Sequence, residues 1–209
     1  MRNVLVVLAV IVAVGFASSF RLETPVYCGG TDDVLSYDDG SSYWLTWGGL
    51  YRGVWFSTDD FMPGMSGLAT DYTEYWFYHH SSYPWDTASF YAELWNGSVA
   101  SPTALLDQTS MMASHNTAIV CNYSPPVETE VGFWGLVNTS MSSGGWPAIL
   151  GDNTPNTVSH SFFSDDFIIW EPWIIQGPMS NDYLVRASGT FIGALEEATW
   201  GEVKSAWRE

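Results

Sequence analysis

Basic side chains are almost missing from this chain. Its 209 residues carry 6 Lys or Arg against 23 Asp or Glu, a formal net charge of −17. No Lys or Arg stands between Arg52 and Arg186. A nucleic-acid binder must neutralise phosphates with cations, so that class is excluded. An anionic lipid surface repels the chain for the same reason. Cysteine is scarce as well: Cys28 and Cys121 are the whole supply, and neither a CxxC pair nor a Cys/His spacing supports a zinc site. The one long apolar run, Val4 to Val14, falls short of the ~20 residues that span a bilayer core. The Gly-x-Ser-x-Gly elbow of hydrolases and the Asp-x-Asp-x-Asp-Gly loop of calcium hands are both absent.

What is present begins with a leader. Arg2 precedes the apolar run, and Gly15, Ala17, Ser18 and Ser19 follow it, the three-part pattern of a secretory signal peptide cut after Ala17 or Ser19. The expectation is an exported protein, secreted or at the cell surface, with the periplasm as a further option and no membrane contact after cleavage. In an oxidising compartment Cys28 and Cys121 read as one disulfide. It would close a loop of about 93 residues, worth ~4–5 kcal/mol on chain entropy.

Aromatics make up 16% of the chain and charged residues only 14%. Rich in Trp, Tyr, Ser, Thr and Gly and poor in Lys, the chain favours strands and turns over helices. Turn residues recur about every ten positions, which reads as an all-β antiparallel sandwich. The strands expected are Tyr43–Trp47, Leu50–Thr58, Thr73–His79, Ala88–Trp95, Ala104–Thr109, Thr117–Asn122, Glu130–Val137, Phe167–Trp170 and Tyr183–Phe191. In the fourth, Phe90, Ala92 and Leu94 should face one side, and Ser89, Tyr91, Glu93 and Trp95 the other. Asn96-Gly97 should turn a hairpin. Longer loops are expected at Phe61–Asp71, His80–Thr87 and Ser140–Thr157.

The final stretch, Leu195–Glu209, changes to helix formers. Thr199 and Glu202 form a capping box, and Trp200, Val203 and Trp207 share one face. So short a helix must dock that stripe on something. The organisation expected is a signal peptide over 1–19, an N-terminal segment over 20–36, a sandwich over 37–193 and a helical tail over 194–209.

Four motifs together carry a resemblance: "YDDG" at Tyr37–Gly40, "FYAELWNG" at Phe90–Gly97, "DYLVRA" at Asp182–Ala187 and "TWGEVK" at Thr199–Lys204. The chain resembles β-sandwich modules of secreted or cell-surface bacterial proteins. The resemblance implies a jelly-roll-like sandwich with a surface or extracellular role, and it brings no catalytic residue to transfer.

Candidate sites follow from residue chemistry. Asp38-Asp39 and Asp165-Asp166 are acid pairs that a structural calcium ion could use, although Asp before Gly40 also suits a strand-initiating turn. His79, His80, His115 and His160 would need to converge to hold a transition metal. Tyr83, Trp85 and Trp146 fall in expected loops, where flat rings can stack on apolar sugar faces or anchor a protein partner. Glu74, Glu93, Glu128, Glu130 and Glu171 are the acids from which a glycosidase would draw its carboxylate pair. The reading favoured is a non-catalytic module that binds glycan or a protein partner. An assembly protein docking through its tail helix and a secreted glycosidase are the alternatives.

Overall fold

Strict alternation in the strand around Phe90 sets the architecture. Phe90, Ala92 and Leu94 are fully buried and join Val54, Phe56, Phe133 and Val137 from neighbouring strands in the main core. The computed structural model describes residues 18–27, 34–175 and 180–193. Its strands are β1 (Ser18–Tyr27), β2 (Val34–Leu35), β3 (Ser41–Trp47), β4 (Tyr51–Ser57), β5 (Met65–Trp76), β6 (Ser89–Ser98) and β7 (Ser101–Met112). They continue with β8 (Ala118–Glu130), β9 (Gly132–Asn138), β10 (Ile149–Gly151), β11 (Ser161–Ser164), β12 (Glu171–Pro172) and β13 (Val185–Gly193). One helical turn, α1 (Thr58–Phe61), links β4 to β5. Among the described residues no helix is long and apolar enough to cross a membrane.

Two antiparallel layers result. One is a six-stranded sheet in the order β12-β11-β4-β9-β6-β7. The other combines β2-β13-β5-β8 with β1-β3-β10, and bridges Phe77–Ile149 and Gly151–Tyr183 link the two parts. Leu68, Tyr75, Phe77, Val185 and Ala187 from this second layer meet the Phe90 row across the core.

Several expectations give way to the structure. Phe61–Asp71, expected as a loop, turns at Gly64 (φ +83°) and then enters β5. Gly67 lies inside that strand because a Cβ there would sit 1.9 Å from the Thr129 carbonyl oxygen; the glycine marks a close approach of two strands. The strand expected at Thr117–Asn122 runs on to Glu130 through Pro125 and Pro126, which an edge strand tolerates. Phe167–Trp170 is a loop, and Ile149–Gly151 is a strand within the expected 140–157 loop. The reversal expected at Asn96-Gly97 falls later, because β6 continues to Ser98 before the chain turns. The sandwich also starts before residue 37: β1 pairs with β3 and β2 with β13.

Cys121 is a free, buried thiol and not half of a disulfide. It packs in the core, and burial pushes its thiol up from the ordinary value. Cys28, residues 1–17 of the signal peptide expected over 1–19, and the expected tail helix with Trp200, Val203 and Trp207 lie outside the described residues, while Ser18 and Ser19 fall in β1.

Candidate binding face on the six-stranded sheet

At β9 the six-stranded sheet is covered on both sides, while towards β7 its outer face is open. Every residue from Phe133 to Asn138 in β9 is buried, so Trp134, Leu136 and Asn138 must have cover on the face turned away from the core. Register lays that outer face out in rows. Ser164, Tyr51, Asn138, Tyr91 and Ser110 lie side by side across β11, β4, β9, β6 and β7. The next row is Phe162, Gly53, Leu136, Glu93 and Gln108. The third is Trp55, Trp134, Trp95 and Leu105. Gly53 is required in the middle row, because a Cβ would stand 2.3 Å from Leu136 Cδ2 and 2.4 Å from the Gly135 carbonyl oxygen.

The β11–β12 loop folds over this face. Phe167 stands edge-on to Tyr51 (4.8 Å) and tilted against Trp95 (4.8 Å). Trp170 packs on Trp134 at 5.0 Å. Phe167 holds φ +64°, a left-handed conformation that non-glycine residues rarely adopt. Its amide donates to Ser164 Oγ, while those of Ile168 and Ile169 donate to Asp166 Oδ1. The same amides, Ile169 first and Ile168 second, hold the Asp166 carboxyl below its usual range.

At the centre of the rows lies Glu93, 1% exposed. Gln108 Nε2 donates to its Oε1 at 2.7 Å and Asn138 Nδ2 donates to the same atom at 2.6 Å. Trp95 Nε1 donates to Oε2 at 2.8 Å. Three neutral donors thus satisfy a buried carboxylate without a cation, which charge-assisted hydrogen bonding permits. Glu93 thereby fixes the amide planes of Gln108 and Asn138 and the ring of Trp95. Gln108 is exposed and Tyr51, Tyr91 and Trp95 are half-buried, so the face offers rigid rings beside an oriented amide. Burial first, and the Glu93 carboxylate second, push the Tyr51 phenol up. A cleft of about 660 Å³ lined by Trp55, Gly97, Ser98, Thr103 and Gly132 adjoins the third row.

The loop aromatics divide. Tyr83 and Trp146 meet at Trp47: Trp146 stacks on it (5.1 Å, 15°) and Tyr83 tilts against it (4.7 Å). Arg52 helps to place Trp146, since its buried guanidinium donates to the carbonyls of Thr46, Gly145 and Pro147. Desolvation pulls that guanidinium down to about 10. Trp85 does not join them. It packs against the main core, edge-on to Phe77 and His79.

Each acid of the expected calcium pairs has its own protein partner or backbone turn. Asp38 is buried in an ion pair with Arg186 at 2.6 Å, and Arg186 also reaches Glu74. It accepts the Gly40 amide too, as an initiating turn requires. Asp39 accepts from Ser41 and from Thr154 Oγ. Asp166 caps its loop, and its neighbour Asp165 is half-buried there. Among the described residues no group of three or more His, Cys, Asp or Glu side chains is arranged to hold a metal ion. His160 stacks on Tyr37 (3.5 Å, 7°), and the His79 amide donates to His115 Nδ1.

Comparison with protein-family models, curated proteins and solved structures gives no match. The site rests on geometry. Alternation put Tyr91, Glu93 and Trp95 on one face, but Tyr51, Gln108 and Asn138 come from other strands, and only cross-strand register brings them there.

Proposed function

We propose that this chain is a secreted or cell-surface, jelly-roll-like, non-catalytic module that binds a neutral glycan along the outer face of the six-stranded sheet. The observation that carries the reading is the Glu93 clamp on Gln108, set between the Tyr91 and Trp95 rings. Sugars present apolar C–H faces that stack on such rings, and hydroxyl pairs that an oriented amide meets with one donor and one acceptor. A net charge of −17 favours an uncharged ligand over an acidic one. The rows around Glu93 contain no second acid, whereas glycoside hydrolysis uses two carboxylates ~5–9 Å apart; this favours binding over cleavage.

The test is titration calorimetry against a panel of neutral polysaccharides, with Trp95→Ala, Gln108→Ala and Trp146→Ala variants. Loss of at least tenfold in affinity for the first two, with Trp146→Ala near wild type, is the expected result. Equal binding by Trp95→Ala and wild type would remove the site. Loss confined to Trp146→Ala would move it to the Trp47 cluster.

A further inference from the structure

The second layer leaves a groove beside its last strand. β2 pairs with β13 only at Ala187 and Ser188, whereas β5 follows the other side of β13 as far as Gly193. Among the described residues, 189–193 thus have no strand on the β2 side. A groove of about 740 Å³ lies there, lined by Val34, Leu35, Phe61, Met62, Asp71 and Phe191 among others. Met62 is 44% exposed, and Val34, Phe61 and Phe191 are half-buried. Apolar side chains gathered in this way mark a place where something packs.

The chain leaves the body at the rim of this groove. The last described residue is Gly193, two positions past Phe191, and a Cβ on it would meet nothing within 4 Å. Residues 194–209 follow, outside the described residues, with the helix pattern that opens at Thr199. At about 100° per residue, Trp200, Val203 and Trp207 fall within an arc of about 60°. Lys204 and Arg208 flank that arc on one side, and Glu202 and Glu209 lie on the opposite face. The five residues 194–198 can reach ~17 Å, while Ser188 to Phe191 spans only ~10 Å of strand. A reversal after Gly193 therefore brings a helix over 200–208, ~13 Å long, back along the groove.

We propose that residues 199–208 dock as a helix in this groove of their own chain, laying Trp200, Val203 and Trp207 against Val34, Phe61, Met62 and Phe191. Charge selects this occupant. Asp71 lines the groove, and Asp59 and Asp60 stand in α1 directly before Phe61. Lys204 and Arg208 then meet an acidic rim, and Glu202 and Glu209 face solvent. Arg52 and Arg186 are interior and Arg21 lies over the Tyr43 ring, so beyond the leader the tail supplies the remaining Lys and Arg for the surface acids. The tether matters too. A helix this short is marginal alone, but a five-residue linker holds it beside the groove at an effective concentration of ~mM. The tail is thus an internal brace of the second layer and not a hook for assembly. The docking does not depend on the glycan reading, whose face belongs to the six-stranded sheet.

Hydrogen exchange on the purified full chain, read by mass spectrometry, tests this. Amides of 200–208 should exchange at least tenfold more slowly than in a free peptide of the same sequence. Met62→Asp puts a charge on the groove floor and should remove that protection, leaving β6 and β9 as protected as in wild type. Ile168→Asp, on an exposed loop of the other layer, should leave the tail protected. If Met62→Asp loosens β5 itself, Asp71→Lys decides: at an exposed position it sets a like charge against Lys204 and Arg208, and tail protection should fall severalfold. Exchange of the wild-type tail at the free-peptide rate would overturn the proposal, as would protection that survives these groove variants. Protection lost on dilution, with a dimer seen by light scattering, would place the tail on a second copy and overturn it equally.

Discussion

Asp182 and Asp152 grip each other twice. The Asp152 amide donates to the Asp182 carbonyl, and the Asp182 amide donates back to Asp152 Oδ1, both at 2.9 Å. Both side chains are fully buried. Asp182 also accepts from Ser161 Oγ and Asn156 Nδ2, while Asp152 Oδ2 has no partner. The pair ties the 152–160 segment to the approach of β13.

Burial, helped by the neighbouring carboxylates of Asp182, Asp39 and Asp38, raises Asp152 to about 8. Burial, with Asp38 adding to it, raises Asp182 to about 6. Both lie above the ordinary Asp value near 3.9, so the folded state keeps protons that the unfolded chain releases. This contribution to stability is full below pH ~4 and is lost as pH rises through ~6 and then ~8. Melting temperature should therefore decline from pH 4 to pH 8. Asp152→Asn keeps an acceptor for the Asp182 amide and should flatten that decline. A wild-type profile rising across the same range would contradict the assignment.

Arg186 bridges Asp38 and Glu74 in the interior. Removing one partner of a buried pair strands the other, which costs ~3–5 kcal/mol. Arg186→Met should lose about that much in urea unfolding. Arg186→Met with Asp38→Leu should recover part of it, since the fully buried pair is then apolar, and Glu74, which loses its cation, keeps the hydrogen bond from Trp76 Nε1.

Cys121 should stay unmodified by thiol reagents in the native state and react on unfolding, because burial both shields it and disfavours its thiolate. Reductant should leave the melting midpoint unchanged. A drop of several degrees would restore the long-range disulfide and exclude the free thiol.

The class of the fold was legible in short alternating runs, and the inward set of β6 was legible residue by residue. The difficulties lay where one chemical signal has two causes. Gly67 and Gly53 punctuate the sequence like turns yet serve close strand contact. Phe167 and Trp170 are aromatic and β-like, but they act as cover for a sheet. Glu93 looks like a solvent residue on the outer face, because nothing local announces that Gln108, Asn138 and Trp95 will enclose it. Likewise Asp38 resembled a cation ligand, and its cation proved to be an arginine 148 positions away.

Arg21, Arg52 and Arg186 are the only basic side chains of the Lys/Arg type among the described residues. Two are interior, and the third lies over the Tyr43 ring. The skin of the folded body is thus close to a pure polyanion, more one-sided than the bulk count conveys. Such a particle should gather a dense cloud of mobile counterions, migrate fast in an electric field, and stay dispersed in brines that precipitate proteins of mixed charge.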